Sequence, residues 1–137
     1  FSFVVIVAHA PHQAHAECES WWQLFPSLVH TAMCYSTQVL LRIDANVSFS
    51  SMHALRSPVG DFPAHGSAHP SPHADTVQAI WQDLHLSLVN TWECNMREDF
   101  SSDPFTWVTP DTLHYRTIDY IGIVGPIHVA PKSCGRT

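Results

Sequence analysis

The apolar residues divide the chain into short elements of alternating period. Phe3-Val-Val-Ile-Val7 is a continuous β-branched run, as expected of a strand covered on both faces, and Pro11 ends it. From Glu17 to about Tyr35, the residues Trp21, Phe25, Leu28, Val29, Ala32 and Met33 recur at helical spacing. Glu17 and Glu19 fall in the first turn, where the helix dipole favours negative charge, and Pro26 inside the helix predicts a kink. Gln38-Val-Leu-Leu-Arg-Ile43 is a second apolar run of strand length and gives out into Asp44-Ala45-Asn46. Residues 48–72 carry Pro58, Gly60, Pro63, Gly66, Pro70 and Pro72 and predict a long irregular connection. Asp75, with Gln78 three residues on, predicts the N-cap of a second amphipathic helix that carries Val77, Ile80, Trp81 and Leu84 to about His85. Leu86–Trp92 has strand character. Phe105-Thr-Trp-Val108, the turn Thr109-Pro-Asp-Thr112 and Ile118-Asp-Tyr-Ile-Gly-Ile-Val124 predict a β-hairpin, after which residues 125–137 carry no pattern. No repeat or linker divides the chain, so residues 1–137 form one α/β unit.

Composition narrows the classes. Hydrophobic residues make up 45%, enough for a core, which argues against global disorder. Twelve Asp and Glu against six Lys and Arg give a formal charge of −6, with Lys132 the only lysine. Such a balance has no basic footprint for a nucleic-acid backbone and argues against a stand-alone nucleic-acid-binding module. No apolar run approaches the ~20 residues of a membrane span. Cys18, Cys34, Cys94 and Cys134 are scattered without C-x-x-C spacing, which speaks against structural zinc and for free, mostly buried thiols.

Three places hold candidate chemistry. Asp44-Ala45-Asn46 sits at the C-terminal end of a strand, where α/β proteins place ligands, and residues two apart on an extended segment point to one side. An Asp there can activate water or help hold a divalent metal, and an Asn can orient the water; the same residues also make an ordinary turn. Asp119 is an acid inside an apolar strand and calls for a partner such as His or Arg. His9 and His12 end the first strand at an edge equivalent to that of Asp44, placed to touch a phosphate or simply to line a loop. Eleven histidines, among them His65, His69 and His73 at intervals of four, invite a metal site, but Gly66, Pro70 and Pro72 prevent the helix that would align them. Phosphate-loop, G-x-S-x-G, H-E-x-x-H and dinucleotide-binding glycine patterns are absent.

Taken in order, these segments resemble the C-terminal half of the endonuclease/exonuclease/phosphatase superfamily, the group of AP endonucleases, DNase I-like enzymes and retroelement endonuclease domains. Val5-Ile-Val-Ala-His9-Ala-Pro-His12 is similar to the family's strand ending in Tyr-x-Pro-Asn, and Val39-Leu-Leu-Arg-Ile-Asp44-Ala-Asn46 to its G-D-x-N strand, with Ile43 in place of glycine. Asn90-Thr91-Trp92 resembles a D-T-[FWY] segment, and Phe105-Thr-Trp107 with Arg116-Thr-Ile-Asp119-Tyr-Ile121 resembles T-[FW] followed by R-I-D-Y. The motifs are most like those of retroelement-type domains, and the resemblance covers most of residues 3–124 through short motifs in a shared order.

The resemblance implies part of a four-layer α/β sandwich, a mixed sheet with flanking helices, and a Mg²⁺-dependent phosphodiesterase that cleaves DNA. It implies that Asp44 activates or aligns the attacking water, that Asn46 orients that water and steadies the transition state, that both lie at the metal, and that His9 stands where a tyrosine contacts the scissile phosphate. Asp119 would orient a catalytic histidine from a final Ser-Asp-His motif, but the chain continues from Val124 without one, and His128 lacks the preceding Asp. The family's N-terminal half, with its Asn and metal-binding Glu, is also missing from these 137 residues. The expectation is a fragment or degenerate copy, inactive alone, with DNA as partner only when complete and a nuclear setting if retroelement-derived. Two other readings stay open. One is a binding remnant without chemistry. The other is a small secreted, His-rich metal-binding protein, motivated by the loop histidines, the Ala8-His9-Ala10 and Ala14-His15-Ala16 cleavage-like sites and the Asn46-Val-Ser48 sequon.

Overall fold

A computed structural model describes residues 2–49, 70–89, 107–108 and 115–125. Strand β1 (Val4–His9) leads through helix α1 (Cys18–Met33) to strand β2 (Val39–Asp44), helix α2 (Ala74–Asp83) and strands β3 (Ser87–Leu88), β4 (Trp107–Val108), β5 (Tyr115–Arg116) and β6 (Asp119–Val124). Four strands form one mixed sheet in the order β1-β2-β6-β3. β1 and β2 run parallel, as a helical crossover requires, whereas β6 is antiparallel to both β2 and β3. β4 and β5 make a separate antiparallel pair. The chain is therefore mixed α/β with two described helices.

Alternation along the strands decides which face is buried. Val39, Leu41 and Ile43 of β2 lie level with Val4, Ile6 and Ala8 of β1 and with Val124, Gly122 and Tyr120 of β6, and this face meets the helices. Gly122 leaves room there for Leu86, whose Cδ1 would lie 2.7 Å from a Cβ at that position. Trp22, Phe25, Val29 and Ala32 of α1 and Val77 and Trp81 of α2 complete the core. Trp22 and Trp81 meet edge to face at 5.8 Å between centroids, and Trp81 touches Phe49 at 5.5 Å and Tyr120 at 5.4 Å. One aromatic chain thus joins both helices, the segment after β2 and strand β6, with favourable edge geometry beyond the burial of its area.

Several expectations change. The first strand is covered on one face only: Val5 and Val7 are 51% and 74% exposed, and Arg42 of β2 is exposed on that same side. The buried stripe of α1 runs through Trp22, while Leu28 and Met33 face outward and Trp21 is half-buried, because a helix packed against one sheet face buries a narrower arc than the apolar residues span. Helix α2 begins at Ala74 with His73 in the capping position, so Asp75 sits in the first turn and acts through the dipole rather than as a cap. The expected C-terminal hairpin is replaced by Trp107–Val108 paired with Tyr115–Arg116, while β6 inserts between β2 and β3, where both its edges find partners. Of the third predicted strand Ser87–Leu88 is paired, and residues 90–92 lie outside the described residues, as do Cys94, Cys134, His65 and His69. Both described thiols are free: Cys18 is buried, and burial pushes its thiol pKa up, whereas Cys34 is exposed. No described helix is long and apolar enough to cross a membrane.

Two polar devices tie the connection after β2. Ser48 and Ser71, both buried, exchange hydrogen bonds: the Ser48 amide donates to Ser71 Oγ at 2.9 Å and the Ser71 amide to the Ser48 carbonyl at 3.0 Å. The two ends of the long proline-rich connection are thereby held together at its base. The Tyr120 hydroxyl donates toward the carbonyl oxygens of Val47 at 3.0 Å and Thr117 at 2.7 Å. Its pKa is raised well above the ordinary value of 10, first by burial and then by the neighbouring charge of Asp119. The fold thus favours the protonated phenol, and this contribution is complete below about pH 10 and fades as pH rises toward the folded-state value. Tyr120→Phe takes away the one hydroxyl proton that these two carbonyls share, with an expected loss of about 1–3 kcal/mol in urea unfolding at neutral pH and a flatter stability profile above about pH 10.

Candidate functional site

The face of the sheet that the helices leave open carries three registered rows. Val5, Leu40 and Ile123 form the first, Val7, Arg42 and Ile121 the second, and His9, Asp44 and Asp119 the third. The third row stands at the C-terminal ends of the parallel strands β1 and β2 and the N-terminal end of β6. Three of the four residues that the sequence singles out are thus brought to one level of one face, and Asn46 follows directly.

The row is polar for a reason that lies in the register. The Ala45 amide donates to the Ile118 carbonyl at 2.8 Å, which makes Ala45 and Ile118 a hydrogen-bonded pair and Asp44 and Asp119 the adjacent non-hydrogen-bonded pair. Side chains come closest at positions of that kind. Like charges directly opposite each other across two strands destabilise a sheet, so this pairing gives no structural benefit of its own and favours a positive group beside it.

His9 supplies a group of that type. Its Nε2 lies 3.6 Å from Asp44 Oδ2, with the imidazole 73% and the carboxylate 35% exposed. The Asn46 side-chain nitrogen lies 3.2 Å from the same Nε2 and donates to the Ala10 carbonyl at 2.7 Å. A neutral His9 with its proton on Nδ1 accepts from Asn46, whereas the imidazolium turns its Nε2 proton toward Asp44. The ring has two partners, one for each charge state.

The turn that follows β2 holds this set. Asp44 Oδ1 accepts from the Asn46 amide at 3.1 Å, an Asx-type turn, and Asn46 takes a φ of +50°, a left-handed conformation that asparagine tolerates better than most residues. The ordinary turn and the candidate site are therefore the same geometry. Immediately beyond, Val47 is bound by Tyr120 and Ser48 by Ser71, which fixes the exit of the turn from below.

As a metal cage the set is short. Asp44, Asp119 and the Asn46 amide oxygen are hard oxygen donors of the type that suits Mg²⁺, yet among the described residues no three His, Cys, Asp or Glu side chains come together to hold a metal ion. His12 is spent locally, its Nδ1 accepting from the Ala14 amide at 3.2 Å, and stays outside the row. Two residues escape the sequence reading. Arg42 lies on the open face one row from Asp44, and its position in an apolar run hid that placement. Tyr120 anchors the strand that presents Asp119, and the signal for it was a tyrosine between an acid and an isoleucine. Comparison with family models, with curated proteins and with solved structures finds no match.

The turn makes its own prediction. Asn46→Gly keeps the left-handed backbone and loses the side-chain ties to Ala10 and His9, while Asn46→Ala loses the same ties and also strains the backbone. In urea unfolding Ala at this position is expected to be less stable than Gly by about 1 kcal/mol; equal stability of the two would contradict the strained turn.

Proposed function

We propose that this chain carries the C-terminal part of a phosphodiesterase active site of the DNase I-like kind, one that cleaves DNA when the domain is complete and is inactive as 137 residues alone. The observation that supports the reading is the row His9–Asp44–Asp119, with Asn46 closing it, at one end of one sheet face. The DNA partner, the Mg²⁺ ion and the four-layer architecture belong to the proposal through the resemblance of the sequence.

The roles follow from what each atom is free to do. Asp44 Oδ2 faces outward beside His9, placed to accept a proton from an attacking water or to align it. Asn46 has its amide nitrogen engaged with Ala10, which leaves Oδ1 to accept from the same water. His9, largely exposed, presents its ring to an anionic oxygen and, when protonated, offsets the charge of the two carboxylates. Asp119 sits across the strand pair from Asp44, so that any histidine brought to it from outside the described residues would be oriented by a carboxylate. A divalent ion would supply charge neutralisation at the phosphate, but these residues make only part of its cage.

The reaction class is attack of water on the phosphodiester phosphorus with departure of one ester oxygen. A second reading, a binding remnant without chemistry, is favoured by the short donor set. The two separate in a plasmid assay. When the chain is joined to flanking sequence that carries the family's N-terminal half and its final Ser-Asp-His motif, with Mg²⁺ present, it is expected to nick supercoiled DNA, and Asp44→Ala to slow nicking by about 10² or more. The 137-residue chain alone should not nick. Equal nicking by the extended chain and its Asp44→Ala variant would contradict the enzymatic reading.

A further inference from the structure

Strand β1 is the outer strand of the sheet, and among the described residues nothing pairs with its free edge. Its phase on β2 fixes which groups that edge offers. The Val4 amide donates to the Gln38 carbonyl at 2.9 Å and the Ala10 amide to the Asp44 carbonyl at 2.8 Å, so the even-numbered residues turn their N–H and C=O toward β2. In a strand the next residues turn theirs the opposite way, and Val5, Val7 and His9 therefore direct three donors and three acceptors outward.

Protein sheets usually guard such an edge with a charge, a proline, a bulge or a very short strand. β1 has six residues, five of them apolar, with no proline and no charged residue apart from His9 at its end. Val5 and Val7, whose backbone groups point outward, are also the residues left exposed on the open face, at 51% and 74%. Among the described residues, one segment thus has no strand on its outer hydrogen bonds and leaves its apolar side chains exposed.

We propose that this edge pairs with the same edge of a second copy, antiparallel, about a two-fold axis at Ile6. That register sets Val5 opposite Val7 of the second copy and Val7 opposite Val5. Both are outward-pointing residues, so each such pair exchanges two N–H to C=O bonds, and Ile6 faces its own copy in the intervening non-hydrogen-bonded position. Val4 lies opposite Ala8, so every opposed side chain from residue 4 to residue 8 is apolar. The exposed valines of the two copies come together on one face, where β-branched pairs add to the pairing.

Charge chooses the same arrangement. Each chain carries a net charge of −6, and its acidic row lies three residues from the axis. In the antiparallel pair the two rows stand at opposite ends of the joined sheet, six residues or about 20 Å apart, beyond the ~8 Å screening length at physiological salt. A parallel pairing would set both rows side by side. The contact covers one strand edge and two valines per copy, well short of the ~800 Å² per partner of a permanent dimer, so association is reversible and depends on concentration.

The test is sedimentation equilibrium of the 137-residue chain across a concentration series, combined with hydrogen exchange. The mass is expected to rise from 15.4 kDa toward twice that value, with the Val5 and Val7 amides becoming protected as it does while the Ile6 and Ala8 amides are protected throughout. Val7→Pro removes an outward donor and leaves the β2 ladder intact, since edge strands accept proline where the N–H faces solvent. It should weaken association by at least roughly tenfold. Val7→Lys, which needs no change in backbone, should do the same and serves if the proline variant does not fold. A mass fixed at 15.4 kDa at every concentration, or a dimer that survives Val7→Lys, would overturn the proposal.

Discussion

The register of three strands is the constraint on which this structure depends. Because β-strand side chains alternate with a period of two, a slip of one residue between β2 and β6 would carry Tyr120 out of the core and bring Asp119 into it. The observed register avoids both, with Tyr120 level with Ile43 under the helices and Asp119 level with Asp44 on the open face. Tyr120 holds it twice, through its ring contacts with Trp81 and Phe49 and through its hydroxyl on Val47 and Thr117. The residue that places the candidate site is thus not in the site. It lies one position along the strand on the other face, and it couples the stability of the core to the level at which the acids stand.

That coupling explains how a short polar set can be precise on a small scaffold. Asp44 and Asp119 are held opposite each other at a cost, since neither gains from the other's charge. The cost is met by apolar packing on the far face, and the turn at Asn46 ties Asp44, Ala10 and His9 into one unit. Sequence pattern, strand phase and turn chemistry agree here, which is the condition for a defined geometry.

Much of the layout was legible in the sequence, and the reasons differ by element. The β-branched run at Val4–Val7 and the apolar run at Val39–Ile43 declared two strands with a helix between, because long periodic segments carry their own signal. Asp44, Asn46 and His9 could be placed at one strand end because the order strand, helix, strand makes neighbouring parallel strands end together. Three things could not be read. A continuous apolar run does not say whether one face or both are covered, and so the exposure of Val5 and Val7 came only from the packing. Helical spacing does not choose between Trp21 and Trp22, since adjacent large residues both satisfy it; contact with Trp81 decides. The pairing of Ile118–Val124 with β2 rather than with Phe105–Val108 is a long-range choice, which local turn chemistry does not govern.

Hydrogen-bond scalar couplings measured across the sheet by NMR report the register bond by bond. Couplings are expected from the Ala10 amide to the Asp44 carbonyl and from the Ala45 amide to the Ile118 carbonyl, which together set His9, Asp44 and Asp119 in one row. A coupling from the Ala45 amide to the Thr117 or Asp119 carbonyl instead would mean a shifted pairing, with Asp44 and Asp119 no longer level, and would contradict it.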